Sequence, residues 1–332
     1  EKAQPIMSID DSLGTPADGQ ESALHVLSST ASSSVLYNLV ADVSRWPAIL
    51  DPVIHVEYCG RSGRAEWFEL WVLVGDQVCS WRTRRRLDEG RIAFEQERTH
   101  RPVTGMAGLW EFQPLDGGGS RVELSHWFTV DGGGAERERV VAAVDHNSTR
   151  DLAALCRLAT LGPSVDELVF SFSDQVRLPV SAAEAYSFIE RSDRWPEALP
   201  HVSRVELTEP QPGVQDMEME SVNVDGRVHA TRSLRLCFPA ERIVYKQLVP
   251  PTMLLGHCGA WEFADVDGGS VVTAQHTVAI NPTAVGEVLG PGHSLADART
   301  YLRDALGANS LQTLESVGSI SAQAVGATHV SH

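Results

Sequence analysis

The strongest constraint on the fold is an internal repeat with a period of about 150 residues. The segment Arg45-Trp46-Pro47 returns as Arg194-Trp195-Pro196, and Trp110-Glu111-Phe112 returns as Trp261-Glu262-Phe263. The repeated segments keep both their order and their spacing along the chain. We therefore predict two copies of one domain, which fits the length of a 332-residue chain.

The elements within each copy predict an α+β fold. The first copy reads as a strand, a short helix capped by Ser32, about six antiparallel strands and a long C-terminal helix. Pro47 is predicted to end the short helix by forcing Trp46 out of helical geometry. A curved sheet that does not close on its long helix leaves an apolar interior pocket. The predicted divisions are a flexible leader (1–20), a first domain (21–161), a linker (162–168), a second domain (169–317) and a flexible tail (318–332).

Composition restricts the classes of partner. The formal net charge of -17 argues against a nucleic-acid partner, because contacts to phosphates need a basic surface. No apolar stretch approaches the length of a membrane-spanning helix, so no membrane partner is predicted. The cysteines are odd in number and scattered without a CxxC spacing, which predicts a reduced, cytoplasmic protein without a metal site.

One strand of the first copy carries a cation on an apolar face. Read with period two, residues 76–87 place Trp81, Thr83 and Arg85 on the same side, and we predict that this side faces the pocket. The opposite side is expected to meet solvent or a partner, and it carries Arg82, Arg84 and Arg86.

The corresponding strand of the second copy is less clear. Ser233 and Arg235 align with the threonine and arginine of the first copy. In this strand, however, Leu234 and Leu236 belong to the apolar face, so strict alternation would turn Arg235 outward. Either the second pocket is polar, or the outer face of this sheet packs on the first domain.

Several segments together resemble a known family. They are ADVSRWP and ERSDRWP after the short helices, CSWRTRR in the arginine strand, WEF before a glycine turn, SHWF and AQHT late in each copy, and HNSTR in the long helix. Each copy resembles the START-type helix-grip domains. The doubled chain, over residues 21–317, resembles the di-domain aromatase/cyclases of bacterial type II polyketide synthases.

The resemblance implies a polyketide aromatase/cyclase. Such an enzyme closes the first ring of a linear poly-β-ketone held on an acyl carrier protein, typically between C7 and C12 of a chain reduced at C9. It then makes the ring aromatic by losing water, with no metal or redox cofactor. The implied partners are the carrier protein and the other type II synthase components. We expect the acidic carrier to meet the outward arginines, since the rest of the surface would repel it.

The resemblance also implies site residues in both copies. It assigns catalysis to an arginine, a nearby hydroxyl and a histidine in each copy, and to one acid: Arg85, Arg235, Thr83, Ser233, His126, His276 and Asp304. The acid has only Ala142 as its counterpart in the first copy, so the two pockets are unequal. The pocket walls are expected to be aromatic, formed by Trp46, Trp81, Trp110, Trp195, Trp261, Tyr37 and Tyr186.

Structural roles stay open for the same residues. An arginine on an apolar strand face can reach the rim and pair with a carboxylate. A histidine inside a strand is more often a hydrogen-bonded structural residue than a catalyst. The tryptophans could belong to the core or fasten the end of the short helix.

Two rival functions also remain at this point. The chain could be a non-catalytic protein that shelters a hydrophobic small molecule in both pockets. Alternatively, one domain could be catalytic while the other serves only as a scaffold.

Overall fold

The computed structural model describes the backbone of residues 19–222 and 228–328. Apart from Pro47–Ile49, the chain divides into two compact units between Gly162 and Pro163, at the predicted linker. The predicted leader lies outside the described residues up to position 18, and so do residues 223–227 of the second copy. Within the described ranges, none of the helices is both long enough and apolar enough to span a bilayer.

The N-terminal unit follows the predicted order of elements. It consists of β1 (Glu21–Ser29), α1 (Ser33–Ala41), α2 (Trp46–Ile49), β2 (Val53–Ser62), β3 (Ala65–Val74), β4 (Gln77–Asp88), β5 (Arg91–Arg98), β6 (Val103–Pro114), β7 (Ser120–Val130) and α3 (Gly134–Ala159). A single 3₁₀ turn, Val43–Arg45, separates α1 from α2.

The C-terminal unit repeats this order with additions around its last helix. It consists of α4 (Val165–Leu168), β8 (Val169–Leu178), α5 (Ala182–Glu190), α6 (Trp195–Ala198), β9 (Val202–Gln211), β10 (Val214–Val222), β11 (Val228–Phe238), β12 (Arg242–Val249), β13 (Leu254–Val266), β14 (Gly269–Ile280), α7 (Val285–Leu289) and α8 (Leu295–Thr328).

Each unit contains a seven-stranded antiparallel sheet of the same topology. The strand order is β1-β7-β6-β5-β4-β3-β2 in the first unit and β8-β14-β13-β12-β11-β10-β9 in the second. The long helix packs on the first and last strands of its own sheet, which are β1 and β7 for α3 and β8 and β14 for α8. The predicted helix-grip fold is confirmed in both copies.

The short helix ends for a different reason from the one predicted. The Ser32 side chain caps α1 as expected by accepting a hydrogen bond from the Val35 N–H, but the helix stops at Ala41. Trp46 then has helical angles (φ −53°, ψ −43°), and Pro47 stands in the first turn of α2. Proline is tolerated there because a first-turn N–H has no partner within the helix. The prediction that Pro47 displaces Trp46 from helical geometry is therefore wrong.

The last helix extends beyond the predicted second domain. The backbone of α8 continues to Thr328, whereas the flexible tail was predicted to begin at residue 318. The segment has no proline to stop the helix, although Gly318 and Gly326 are weak helix formers. Residues 329–332 of the predicted tail lie outside the described residues.

Candidate functional site

The N-terminal unit encloses a cavity of about 710 Å³. Its walls come from β2 to β7 on one side and from α3 on the other, with one residue each from α1 and α2. The volume lies within the range of about 300–1,000 Å³ that is common for sites that bind small molecules. This is the interior pocket that the curved sheet was expected to leave.

The cavity brings together most of the predicted N-terminal site residues. Those that line it are Trp46, Trp81, Thr83, Arg85, Trp110 and His126. Tyr37 is not part of the lining, because its ring packs edge-on against Phe112 at 5.6 Å between centroids. Trp46 has two roles, since its indole Nε1 also donates to the Leu39 carbonyl and fastens the end of α1.

Arg85 is a buried residue at the cavity wall and is only 1% exposed. Its Nε donates to Glu66 Oε1 at 2.5 Å, and its Nη1 donates to the Val40 carbonyl at 2.7 Å. Its Nη2 contacts both Glu66 and the Ala41 carbonyl. Burial lowers the pKa of the guanidinium, and the charge of Glu66 opposes that shift. Each guanidinium nitrogen thus already has a protein partner, and the side chain joins β4 to the end of α1.

Glu66 was not identified from the sequence as the partner of Arg85, although the residue pattern of β3 indicates a buried charge at this position. Glu66 is 6% exposed and lies directly opposite Arg85 in the β3–β4 register. Along β3 it shares the inward face with Phe68 and Leu70, which are both buried. A carboxylate in line with apolar residues at period two indicates a buried charge that needs a partner.

Thr83 and His126 each have a buried polar atom without a hydrogen-bond partner among the residues that the structure describes. The Thr83 Oγ1 atom is buried and has no hydrogen-bond partner among the described residues. The same holds for Nδ1 of His126, whose ring meets Phe94 edge-on at 5.5 Å between centroids. Burial, and secondarily His25, lowers the pKa of His126 to about 4. At neutral pH the ring is therefore uncharged and can accept a proton.

A carboxylate of the long helix completes the cavity, and it was not predicted. Asp151 of α3 lines the cavity together with Asn147 and Ser148. The acid expected from the resemblance, Asp304, is instead exposed on α8, and its counterpart Ala142 is exposed on α3. Helical spacing could have found Asp151, because it falls three and four residues after Ser148 and Asn147 and so shares their face.

The outward arginines of β4 are neutralised by neighbouring carboxylates. Their partners are Glu97 for Arg82 at 3.5 Å, Glu95 for Arg84 at 3.0 Å, and Asp88 for Arg86 at 2.7 Å. All three arginine side chains are partly buried. This face of the sheet is therefore less cationic than the sequence alone indicates.

Arg235 of the second copy is buried at 2% exposure, so the outward orientation that strict alternation indicates is wrong. Both leucines beside it are buried as well, which means that both faces of β11 are covered there and alternation is uninformative. The guanidinium donates to Ser192 Oγ at 2.8 Å and to the Ile189 carbonyl at 2.5 Å. Gln215 occupies the register position of Glu66. Within the described ranges, the hydrogen-bond partners of Arg235 are neutral groups, and burial lowers the pKa of its guanidinium.

The predicted pocket residues of the second copy lie in a packed core. Trp195, Trp261 and Tyr186 are 7%, 8% and 4% exposed and belong to one hydrophobic cluster. Ser233 is also buried, at 3% exposure. The two copies therefore share a fold but differ in their interiors.

His276 belongs to a buried hydrogen-bonded network in this core. Its Nδ1 lies 2.9 Å from the Tyr245 hydroxyl and 3.1 Å from His257 Nε2, and its Nε2 lies 2.9 Å from Ser310 Oγ. The other nitrogen of His257 lies 2.9 Å from Gln247 Oε1. Burial lowers the pKa of His276 to about 4 and that of His257 to about 3.

Comparisons with known proteins find the same family over both copies. Family models described as polyketide cyclase / dehydrase and lipid transport match residues 29–153 and 169–317. The bifunctional cyclase/dehydratase of the actinorhodin polyketide synthase of Streptomyces coelicolor is 49% identical over 309 residues, covering 89% of this chain and 95% of that protein. Its granaticin counterpart from Streptomyces violaceoruber is 47% identical over 294 residues, covering 87% and 91%.

Solved structures agree with these relatives. The di-domain ARO/CYC BexL from the BE-7585A biosynthetic pathway is 38% identical, with a TM-score of 0.75, and the match covers 90% of this chain and 98% of BexL. The di-domain ARO/CYC StfQ from the steffimycin biosynthetic pathway is 32% identical, with a TM-score of 0.75 and coverage of 92% and 99%.

Proposed function

Because the chain belongs to the polyketide cyclase/dehydrase family, we propose that its N-terminal cavity closes a linear poly-β-ketone into a ring and then dehydrates it. One observation carries the choice of site. One largely apolar cavity is lined both by His126, which forms no hydrogen bond with the part of the chain that the structure describes, and by the carboxylate Asp151. In the C-terminal unit the corresponding histidine is held in a network within the core.

The finer identity of the substrate rests on the resemblance to aromatase/cyclases. We infer a poly-β-ketone bound as a thioester to an acyl carrier protein and already reduced at C9. Closure joins C7 to C12. The aromatic walls formed by Trp46, Trp81 and Trp110 hold the flexible chain in a folded form, which lowers the entropic cost of bringing two distant carbons together.

The chemistry requires a proton to be removed and then returned. A methylene between two carbonyls gives up a proton, its carbon attacks a distant carbonyl, and the alkoxide that forms takes up a proton. A second deprotonation beside the new hydroxyl, with protonation of that hydroxyl, releases water. Neutral His126 can accept the proton and return it, because its low pKa makes the imidazolium a good acid. Asp151 supplies a second proton acceptor in the same cavity.

Thr83 and Arg85 have supporting roles in this proposal. The unpaired hydroxyl of Thr83 can donate to a substrate carbonyl oxygen, on which negative charge develops during closure. Arg85 fixes the wall of the cavity, since its nitrogens are committed to Glu66 and to the end of α1. Its cation still contributes a fixed field close to the reacting atoms.

Product analysis of a reconstituted synthase and ketoreductase tests the assignment. We expect His126→Ala and Asp151→Asn to replace the aromatised product with shunt products, with a loss of about 10²–10⁴-fold in cyclisation rate for the histidine. The matched variant His276→Ala should keep the wild-type cyclisation rate when that rate is expressed per molecule of folded protein. If His126→Ala cyclises normally, the N-terminal cavity is not the catalytic site. If wild-type protein leaves the products unchanged, the chain only binds its ligand.

The C-terminal unit is proposed to act as a scaffold. Its predicted pocket residues are packed into a core, and that observation favours one catalytic domain over two. Arg235→Met, which removes the buried cation at similar volume, should then affect stability but not the product spectrum. A changed ring pattern in a folded Arg235→Met protein would contradict the assignment.

Carrier-protein docking is proposed for the face formed by Arg82, Arg84 and Arg86. Each arginine already has a carboxylate partner, so we expect only a modest, salt-sensitive contribution to binding. Reversing all three charges should weaken carrier binding at low salt. Arg232→Glu serves as the matched control, because Arg232 pairs with Asp216 at the corresponding place in the second copy. Equal binding by the triple variant and the control would reject this docking face.

A further inference from the structure

The two copies contain the same histidine in the same place but give it different surroundings. His126 lies opposite Gly108 on the neighbouring strand, and His276 lies opposite Gly259. One strand further, the residue opposite each glycine is aromatic: Phe94 in the first copy and Tyr245 in the second. The second copy therefore serves as an internal reference for the first.

In the second copy both ring nitrogens of His276 are occupied. The Gln247 oxygen can only accept, so the nearby nitrogen of His257 carries the proton and its other nitrogen accepts from Nδ1–H of His276. Nε2 of His276 then accepts from the Ser310 hydroxyl. No lone pair on His276 is left for a substrate.

In the first copy two of the three groups that hold His276 have been replaced, while the third, Ser310, is retained as Ser148, which lines the cavity. Phe94 lacks the hydroxyl of Tyr245, and Met106 stands at the position of His257, two residues before the glycine of its strand. The supporting glutamine is retained: Gln96 Nε2 contacts the Met106 sulfur at 3.2 Å, as Gln247 contacts His257. Among the described residues His126 forms no protein hydrogen bond.

In the first copy, apolar packing orients the His126 ring in place of hydrogen bonds. A Cβ at Gly108 would lie 2.2 Å from Phe94 Cζ, so the absence of a side chain there lets the phenyl ring cross β6 and meet His126 edge-on. Phe94 and Met106 both line the cavity beside the histidine. The ring is therefore held by apolar contact and not by a hydrogen bond.

We propose that Phe94 and Met106 are positioning residues that keep His126 free of protein hydrogen bonds, so that its proton is exchanged only with the substrate. This inference rests on the proposed role of His126. A competing acceptor or donor in the wall would fix one tautomer, and each proton transfer would then require that bond to break. An apolar wall offers no hydrogen-bonding group that competes with the substrate, and its packing still holds the His126 ring in one orientation.

Restoring the groups of the second copy tests the proposal. Phe94→Tyr adds the Tyr245 hydroxyl, and Met106→His adds the His257 imidazole against the retained Gln96. We expect each variant to lower kcat about tenfold or more, with KM little changed, and to shift the pH profile of kcat. Met106→Leu changes the side chain without adding a hydrogen bond, so the difference between the His and Leu variants isolates that bond. Tyr245→Phe in the second copy should leave kcat unchanged.

Imidazole ¹⁵N shifts provide a readout that does not depend on activity. In the wild-type protein, His276 should show the shifts of a hydrogen-bonded, fixed tautomer and His126 should not; each signal is assigned by its loss in a His→Asn variant. Phe94→Tyr and Met106→His should move the His126 signals towards those of His276. A hydrogen-bonded His126 in the wild-type protein would overturn the proposal, and so would variants that form the bond and keep wild-type kcat.

The outcomes separate this inference from the proposed function. If His126→Ala cyclises normally, the assignment of the N-terminal site fails. If His126→Ala is inactive while Phe94→Tyr and Met106→His are fully active, the site stands and only the positioning role of these two residues fails.

Discussion

At the scale of single residues, the two buried arginines show how one substitution changes the environment of a charge. Arg85 has a carboxylate opposite it, whereas Arg235 has Gln215 and neutral acceptors. Both cations lie over a tryptophan ring, at 5.6 Å for Arg85 and 5.8 Å for Arg235. The conserved feature of the two copies is the arginine and its link to the short helix, and the ion pair is specific to the first.

The Glu66→Gln variant should strongly destabilise the N-terminal unit. It leaves the buried guanidinium of Arg85 without its counter-charge, and removing one member of a buried pair costs about 3–5 kcal/mol. Denaturant unfolding measures the loss. Glu95→Gln is the matched control, because it breaks the more exposed pair with Arg84 and should cost less than about 1 kcal/mol. Equal losses for the two variants would show that burial of the pair is not decisive.

At the scale of elements, glycines inside strands allow the close approach that shapes both interiors. A Cβ at Gly108 would meet Phe94, and a Cβ at Gly259 would lie 2.4 Å from the Tyr245 hydroxyl. Both positions also face a backbone carbonyl of the next strand, at 2.5 Å from Ser125 and 2.2 Å from Gln275. Neither glycine is needed for its φ angle, since neither has a positive φ. They are needed for space.

The Gly108→Ala variant is expected to reduce stability and cyclisation together. The added methyl group must displace Phe94 or the β6–β7 pairing, and overpacking of this kind costs about 1–3 kcal/mol. Thermal unfolding and product analysis measure the two effects. Gly117→Ala is the control, because a Cβ there meets nothing within 4 Å. A Gly108→Ala protein that melts and cyclises like the control would contradict this reading of the strand.

At the scale of the whole molecule, the copies differ in what fills the space between sheet and long helix. The first contains a cavity lined by His126, and the second contains a packed core with a polar network around His276. The network also links stability to pH. Two neutral histidines are buried where protonation is unfavourable, and the unfolded chain has no such restriction.

We expect the C-terminal unit to lose stability in mild acid. In the folded protein, the pKa of His257 is about 3 and that of His276 about 4, while unfolded histidines titrate near about 6.5. Between these values the unfolded chain binds more protons, so the free energy of unfolding falls as the pH drops from about 6.5 towards 4. Urea unfolding at several pH values in this window measures the slope. His257→Gln, which cannot be protonated there, should flatten it; an unchanged slope would contradict the assignment.

The sequence determined the fold because that information is local and repeated. The period-two pattern of residues 76–87 predicted the strand that the structure forms at Gln77–Asp88. The serine cap predicted the start of α1, and the repeat predicted a second copy of the whole domain. Each signal depends on neighbours in the chain or on a matching segment, so no distant contact was needed.

Only the tertiary structure decided what fills the interior of each copy and what surrounds each candidate residue. The alternation rule failed at Arg235, because it assumes one covered face and both faces are covered there. Asp151 lines the cavity of the first copy while Asp304 is exposed on the long helix of the second, and these placements depend on how each helix packs on its own sheet. Whether a histidine is free or bonded depends on residues from three other elements, and the sequence does not place these beside each other.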